Sequence, residues 1–328
     1  MSTKSIKRIA VFTSGGDAPG MNAGLRAVVR TASYYDLHVY GISRGYQGMI
    51  EGDLRRLEPR DVGNILQRGG TILKTARSKE FMTPEGRKRA YDTLQAYDID
   101  GCIAIGGNGT YTGAMVFSEE HKIPFIGMPG TIDNDIYGTD LSIGYDTAIN
   151  TAVEAVDRIR DTADSHNRVF FVEVMGRHAG FIALSTGIAS GAESVLLPET
   201  DTSLDELCAS LRKGLVRKKM FSIVIVAEGN QNGNANEIAA KVKQRLPEIN
   251  SRVTVIGHLQ RGGSPTALDR VLAAQLGFKA VEFLIEGRRN VAVGLVNNQV
   301  VCTPFKKAIE ERRDLENDLL RMTRILPL

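Results

Sequence analysis

Short apolar, β-branched runs that stop abruptly at glycine constrain this chain more than any other feature. Residues 9–12, 101–105, 125–127, 169–174, 222–227 and 253–256 have strand length, and most are followed at once by glycines or short polar residues. The first run sets the pattern. It enters Thr13-Ser14-Gly15-Gly16-Asp17-Ala18-Pro19-Gly20, and residues 21–35 then place Leu25, Val28 and Val29 on one helix face. Strands alternating with helices predict right-handed βαβ units and parallel sheet covered on both faces, an α/β fold. Ligands bind such sheets beyond the carboxyl ends of the strands. The unusual turns fall there: Gly15-Gly16-Asp17, residues 106–110, residues 129–135, Met175-Gly176-Arg177 and residues 257–261. Together they predict one composite site or two facing sites. No Pro/Ser-rich linker or internal repeat marks a domain boundary.

A chain of 328 residues suffices for two ordinary domains. Its 41 basic and 38 acidic residues leave a net charge of +3, which gives no global attraction to nucleic acid or an anionic membrane. Any anion site is therefore local. Cys102, Cys208 and Cys302 are scattered and imply neither a disulfide framework nor a metal cluster. Residues 1–8 are polar and lack a signal peptide's apolar region, and no stretch reaches the roughly 18 apolar residues of a spanning helix, so a cytoplasmic location is expected.

Glycine lets a backbone approach a phosphate closely, so the turn at residues 15–20 can serve as a phosphate loop or simply as a tight strand-to-helix turn capped by Asp17. Gly106-Gly107-Asn108-Gly109-Thr110 is the better phosphate loop, with three glycines opening a helix at Tyr111. It is neither a Walker A loop nor a dinucleotide fingerprint. Loops of this type occur in several kinases, so it points to a nucleotide without naming the acceptor. Thr131-Ile132-Asp133-Asn134-Asp135 offers two carboxylates on one side of an extended segment, as a proton acceptor and a Mg²⁺ ligand require; turn chemistry alone also explains Asp and Asn there. Arg77, Arg168, Arg177, Arg252 and Arg261 lie near glycine turns, where guanidinium forks suit phosphate oxygens. Arg26 and Arg30 lie one helical turn apart and form a second anion site or a solvated stripe. His258 is placed to bond a phosphate and Tyr46 to stack on a purine, whereas His38, His121, His166 and His178 show no metal spacing.

The segments TSGGDAPGMN, RGGT, GGNGT, PGTIDND, VEVMGR and GHLQRGGSP, in this order and spacing, resemble the bacterial ATP-dependent 6-phosphofructokinases over nearly the whole chain. The resemblance implies two Rossmann-like lobes with the active site in the cleft. The larger, ATP-binding lobe would take residues 1–144 and 260–310, and the smaller, sugar-phosphate lobe residues 145–259 and 311–328. It implies that Asp133 is the base for the 1-hydroxyl of fructose 6-phosphate, with Arg77, Thr131 and Arg177 completing the catalytic set. ATP would lie against Gly16, Tyr46, Arg77, Ser78, Gly107, Asn108, Gly109 and Thr110. Thr131, Ile132, Asp133, Met175, Gly176, Arg177, Glu228, His258 and Arg261 would hold the sugar phosphate. Arg168 and Arg252 would reach into a neighbouring subunit of a homotetramer. An effector site would use Arg26, Arg30, Arg160, Gly191, Glu193, Arg217 and Lys219.

Pyrophosphate-using relatives carry an acidic residue at the position of Gly109 and a lysine at that of Gly130, so the two glycines here favour ATP on steric and electrostatic grounds. Two departures from the family pattern stand out. Asn108 replaces an aspartate that helps hold Mg²⁺, which predicts weaker metal binding through Asn108 and Asp135 and leaves a non-catalytic regulatory relative as an alternative. Pro59, beside Arg60, replaces an effector-site arginine, which leaves control by ADP or phosphoenolpyruvate open. A kinase of the same fold acting on another sugar phosphate is the remaining alternative.

Overall fold

The computed structural model describes residues 6–164, 168–217 and 221–327. In chain order its strands and helices begin with β1 (Arg8–Thr13), α1 (Met21–Tyr34), β2 (His38–Ile42), α2 (Gly45–Glu51), β3 (Leu54–Leu57), α3 (Pro84–Ala96), β4 (Gly101–Gly106), α4 (Asn108–His121) and β5 (Phe125–Pro129). They continue with α5 (Tyr145–Asp164), β6 (Val169–Val174), α6 (Phe181–Ala189), β7 (Ser194–Leu196), α7 (Leu204–Val216), β8 (Ser222–Ala227), α8 (Ala235–Arg245) and β9 (Ser251–Val255). Last come α9 (Ala267–Ile285), β10 (Val291–Val296), β11 (Gln299–Pro304), α10 (Phe305–Glu310) and α11 (Asn317–Ile325). The chain divides into a first unit of Met1–Thr131, Ile136–Thr147 and Arg261–Arg313, and a second of Ile132–Asp135, Ala148–Gln260 and Asp314–Leu328.

The first unit holds a 7-stranded sheet in the order β11-β10-β5-β4-β1-β2-β3. Its centre is parallel, and each edge is an antiparallel pair, β2 with β3 and β10 with β11. The chain leaves β1 for β2 on one side and returns to β4 on the other, so the strand order reverses between β1 and β4, the usual ligand position in an open α/β sheet. All of β4 and β5 is buried, as an unbroken apolar run in a doubly covered parallel sheet must be. On one face Phe12, Phe117, Phe125 and Tyr111 form the core. On the other, α1 and α9 cross closely at glycine: a Cβ on Gly277 would stand 2.7 Å from Ala27 Cβ and 2.8 Å from the Gly24 carbonyl oxygen.

A buried carboxylate fixes the start of α5 within this unit. Asp269 accepts hydrogen bonds from the Gly144 amide (2.8 Å), the Thr147 amide (2.8 Å) and the Thr147 hydroxyl (2.5 Å). Burial pushes its pKa up while these donors pull it down, and burial wins.

The second unit is built on a wholly parallel 4-stranded sheet, β7-β8-β6-β9. Phe171, Val224 and Val226 pack there against Leu207 and Leu211 of α7 and Ile238 and Val242 of α8. Helix α8 starts in a reciprocal cap, with Asn234 accepting from the Glu237 amide and the Glu237 carboxylate accepting from the Asn234 amide. Both units are thus α/β with mostly parallel sheets, as the strand–helix alternation predicts.

Candidate active site

In the first unit the loops after β1, β4 and β5 converge because their strands are neighbours. The Ser14 amide donates to the Ile105 carbonyl at 3.0 Å, and the Gly130 amide to the Gly106 carbonyl at 3.1 Å. Gly106 has no room for a side chain: a Cβ would meet the Thr110 hydroxyl and would lie 2.6 Å from the Ser14 carbonyl oxygen. Helix α4 opens directly after β4, so its amino-terminal end emerges at the carboxyl end of the sheet, where the Thr110 amide donates to the Gly107 carbonyl at 2.9 Å. That first turn carries no acidic side chain, so its partial positive charge is not opposed locally. Around Gly109 there is open space, with nothing within 4 Å of an added Cβ. Gly16 is covered instead by the Arg261 guanidinium, which occupies the place a Cβ would take. Arg77 is exposed, and the Ser78 hydroxyl donates to Gln47 Oε1 at 2.7 Å.

Tyr46 departs from expectation. It is buried, with its ring stacked on Phe81 at 4.0 Å and set edge-to-face with Phe12 at 4.9 Å, and a Cβ on Gly113 of α4 would lie 2.9 Å from it. A ring buried in this packing is not presented to a purine, and the stacking role is corrected. Its hydroxyl instead donates to the Thr110 carbonyl at 2.5 Å and ties α2 to the start of α4.

The segment Thr131–Asp135 alternates in burial. Ile132 and Asn134 are buried, while Thr131, Asp133 and Asp135 are half-buried. Asn134 takes a positive φ of 54°, which Asn tolerates better than most residues.

In the second unit the ends of β8, β6 and β9, which are neighbours, bring Glu228, Met175-Gly176-Arg177 and His258 together. The turn after β6 is strained: Gly176 has φ 145° and Arg177, a side chain that gains nothing locally from it, has φ 56°. Left-handed backbone at such a residue costs about 1–3 kcal/mol and persists only where surrounding contacts enforce it. Two side chains do so. Glu228 Oε2 accepts from the Arg177 amide at 3.2 Å, and Gln260 Oε1 from the Met175 amide at 2.7 Å. Arg177, Glu228 and His258 are exposed, their polar groups open to a ligand. Arg168 and Arg252 do not join this group. Arg168 precedes β6 and Arg252 pairs with Phe170 in β9, so both sit at the opposite end of the sheet, and Arg252 donates to Asn250 Oδ1 (3.0 Å) and the Ser251 carbonyl (2.9 Å).

The expected effector residues divide in the same way. Arg26 and Arg30 lie on α1 of the first unit. In the second, Arg160 donates to the Ser190 carbonyl and covers the Phe221 ring at 5.4 Å, beside Gly191. Glu193 and Arg217 line a cavity of about 820 Å³ between α7 and α11, together with Lys213 and Arg324. Lys219 lies outside the described residues.

The sequence profile described as Phosphofructokinase matches residues 8–284. The chain belongs to the phosphofructokinase family. This phosphofructokinase is 57% identical over 323 residues to "ATP-dependent 6-phosphofructokinase 1" of Thermus thermophilus, covering 98% of this chain and 100% of that one. It is 55% identical over 317 residues to the "ATP-dependent 6-phosphofructokinase" of Cytophaga hutchinsonii, covering 97% of each. Among solved structures, the phosphofructokinase from Saccharomyces cerevisiae superposes with a TM-score of 0.88 at 36% identity, over 93% of this chain and 45% of that longer one. A pyrophosphate-dependent phosphofructokinase from Marinobacter aquaeolei gives 0.85 at 25% identity, over 98% and 91%. Fold alone therefore does not choose the phosphoryl donor.

Among the described residues of this phosphofructokinase, no group of three or more His, Cys, Asp or Glu is placed to hold a metal. No helix among the described residues is long and apolar enough to cross a membrane. Two residues close to the motifs escaped the sequence reading: Asp269, which fixes the start of α5, and Gln260, which holds the Met175 amide. Gln260 stands inside the GHLQRGGSP segment, where His258 and Arg261 drew the assignment.

Proposed function

We propose that this phosphofructokinase transfers the γ-phosphoryl group of ATP to the 1-hydroxyl of fructose 6-phosphate, forming fructose 1,6-bisphosphate and ADP (EC 2.7.1.11). The observation that carries this reading is 50–57% identity over nearly the full length to relatives named ATP-dependent 6-phosphofructokinases. Gly109 and Gly130 support ATP over pyrophosphate, since neither places a charge where a nucleotide phosphate would lie.

The first-turn amides of α4, with Gly16, Arg77 and Ser78 around them, hold the nucleotide phosphates. Arg177, Glu228 and His258, on the loops after β6, β8 and β9, hold the sugar phosphate, with Arg261 completing the set. Asp133 accepts the proton of the attacking hydroxyl, and Thr131 orients that segment. Arg77 and Arg177 stabilise the charge spread over the transferred phosphoryl oxygens. Asp135 and Asn108 would hold a magnesium ion arriving with the nucleotide, which would supply neutralisation of phosphate charge. Covalent chemistry by the protein is not needed, so positioning and electrostatics supply the rate. The placement of Arg168 and Arg252 away from the Met175–Arg177 turn suits service to a neighbouring subunit of a homotetramer, with Arg26, Arg30, Arg160, Gly191, Glu193, Arg217 and Lys219 forming an effector site between subunits. A glycolytic role in the cytoplasm follows.

The test is Asp133→Ser. Turnover should fall by at least about a hundredfold, the lower range for losing a positioned general base, while fructose 6-phosphate binding measured by calorimetry stays within threefold of the parent. Near-normal turnover would remove Asp133 from the role of base.

A further inference from the structure

The turn after β9 (residues 257–261) inverts the usual burial order. Leu259, its large apolar residue, is 71% exposed, whereas Gln260 beside it is 0% exposed. A fully buried amide is retained only where both its ends are satisfied, and here they are. Oε1 accepts the Met175 amide at 2.7 Å, and Nε2 donates to the Ala148 carbonyl at 3.4 Å. The Met175 amide can only donate, so the oxygen must face it. One side chain therefore joins the turn carrying His258, the strained turn carrying Arg177, and the first turn of α5.

We infer that Gln260 is a positioning residue for the sugar-phosphate subsite, setting the Met175–Arg177 turn relative to the His258 turn without touching the ligand. This rests on the function proposed above. Two side chains hold the left-handed Arg177 in place, the Glu228 carboxylate and, through Met175, Gln260, beside the Ala179 amide's bond to the Gly176 carbonyl. Releasing the second leaves a buried amide without a partner and lets the turn relax from the conformation that presents the Arg177 guanidinium. The predicted loss is specific to the sugar phosphate, because the Met175–Arg177 turn, His258 and Gln260 belong to the second unit and the nucleotide residues to the first.

Two variants test the inference. Gln260→Met keeps length and volume but removes both polar groups. Gln260→Glu keeps the acceptor for Met175 and regains a donor toward Ala148 only when protonated. In Gln260→Met, KM for fructose 6-phosphate should rise about tenfold or more, the size expected when a buried donor loses its acceptor, with KM for ATP within twofold. Hydrogen exchange of the peptide spanning Met175 should speed up by a similar factor. In Gln260→Glu, which keeps the acceptor for the Met175 amide, exchange of that peptide should stay near-parental. Exchange needs no turnover, so a parent inactive toward fructose 6-phosphate would refute the proposed function and leave this result standing. Parental KM and exchange in Gln260→Met, or equal rises in both KM values, would overturn the positioning role.

Discussion

Gly109→Asp separates the donor site from the fold. The residue is the second of α4, and an added side chain meets nothing within 4 Å. Replacing glycine in a helix recovers a few tenths of a kcal/mol of propensity, and an acid in the first turn adds about 0.3–1 kcal/mol through the helix dipole. The variant should therefore be more stable than the parent, with Tm higher by about 1–4 °C. On the proposed function, the same carboxylate stands where the nucleotide phosphates would bind. A unit charge about 5 Å from a phosphate charge costs about 3 kcal/mol at an effective dielectric near 20, roughly a hundredfold in affinity. Initial rates against ATP at saturating fructose 6-phosphate should show KM for ATP raised about a hundredfold, with KM for the sugar phosphate little changed. Gly109→Asn, of the same shape without the charge, should lose less than about tenfold. If Gly109→Asp keeps its KM for ATP within threefold, or Gly109→Asn loses as much, the electrostatic reasoning is wrong.

Asn108→Asp restores a charge at the first residue of α4; the Mg²⁺ concentration for half-maximal rate should fall severalfold, and an unchanged titration would show that this residue does not face the metal. His121 stacks on Tyr91 at 4.5 Å, and burial lowers its pKa from 6.5. The folded chain then binds fewer protons than the unfolded one, so stability is full above pH 6.5 and declines as pH falls from 6.5 through the lower folded value. His121→Phe should remove that decline in urea midpoints, and an identical pH profile would refute the assignment. Asp269→Ala strands two buried amides and a hydroxyl; a loss of about 3 kcal/mol or more is expected, read as a lower urea midpoint. A loss below about 1 kcal/mol would show that water replaces the carboxylate.

Much of the fold was legible because the central strands obey one rule. Residues 169–174 and 222–227 are apolar but for Glu173 and Ser222 and coincide with β6 and β8, as doubly covered parallel strands should. The strands missed are β2, β3, β7, β10 and β11, whose residues or surroundings relax that rule: β2, His-Val-Tyr-Gly-Ile, is interrupted by polar residues and a glycine. β3, Leu-Arg-Arg-Leu, sits at an edge with its two arginines exposed. β7 has only 3 residues. β10 and β11 form a hairpin whose Asn297-Asn298 turn, with φ 50° and 61°, carried a signal that glycine turns elsewhere overshadowed. At the site, the glycine turns mark loop positions because close approach is written into the residue type. The role of Tyr46 was not legible: its ring is claimed by Phe81 and α4, and such packing depends on residues distant in sequence. Gln260 was hidden for the same reason, since nothing local shows that a glutamine beside an exposed leucine points inward.

The most direct test of the central claim is formation of fructose 1,6-bisphosphate by the purified protein from ATP, Mg²⁺ and fructose 6-phosphate, with pyrophosphate as a parallel donor and tagatose 6-phosphate as a parallel acceptor. The account predicts ATP-dependent turnover yielding one ADP per bisphosphate, little or no rate with pyrophosphate, and a preference for fructose 6-phosphate. Binding of ATP and fructose 6-phosphate without turnover, or a faster reaction with pyrophosphate, would contradict it.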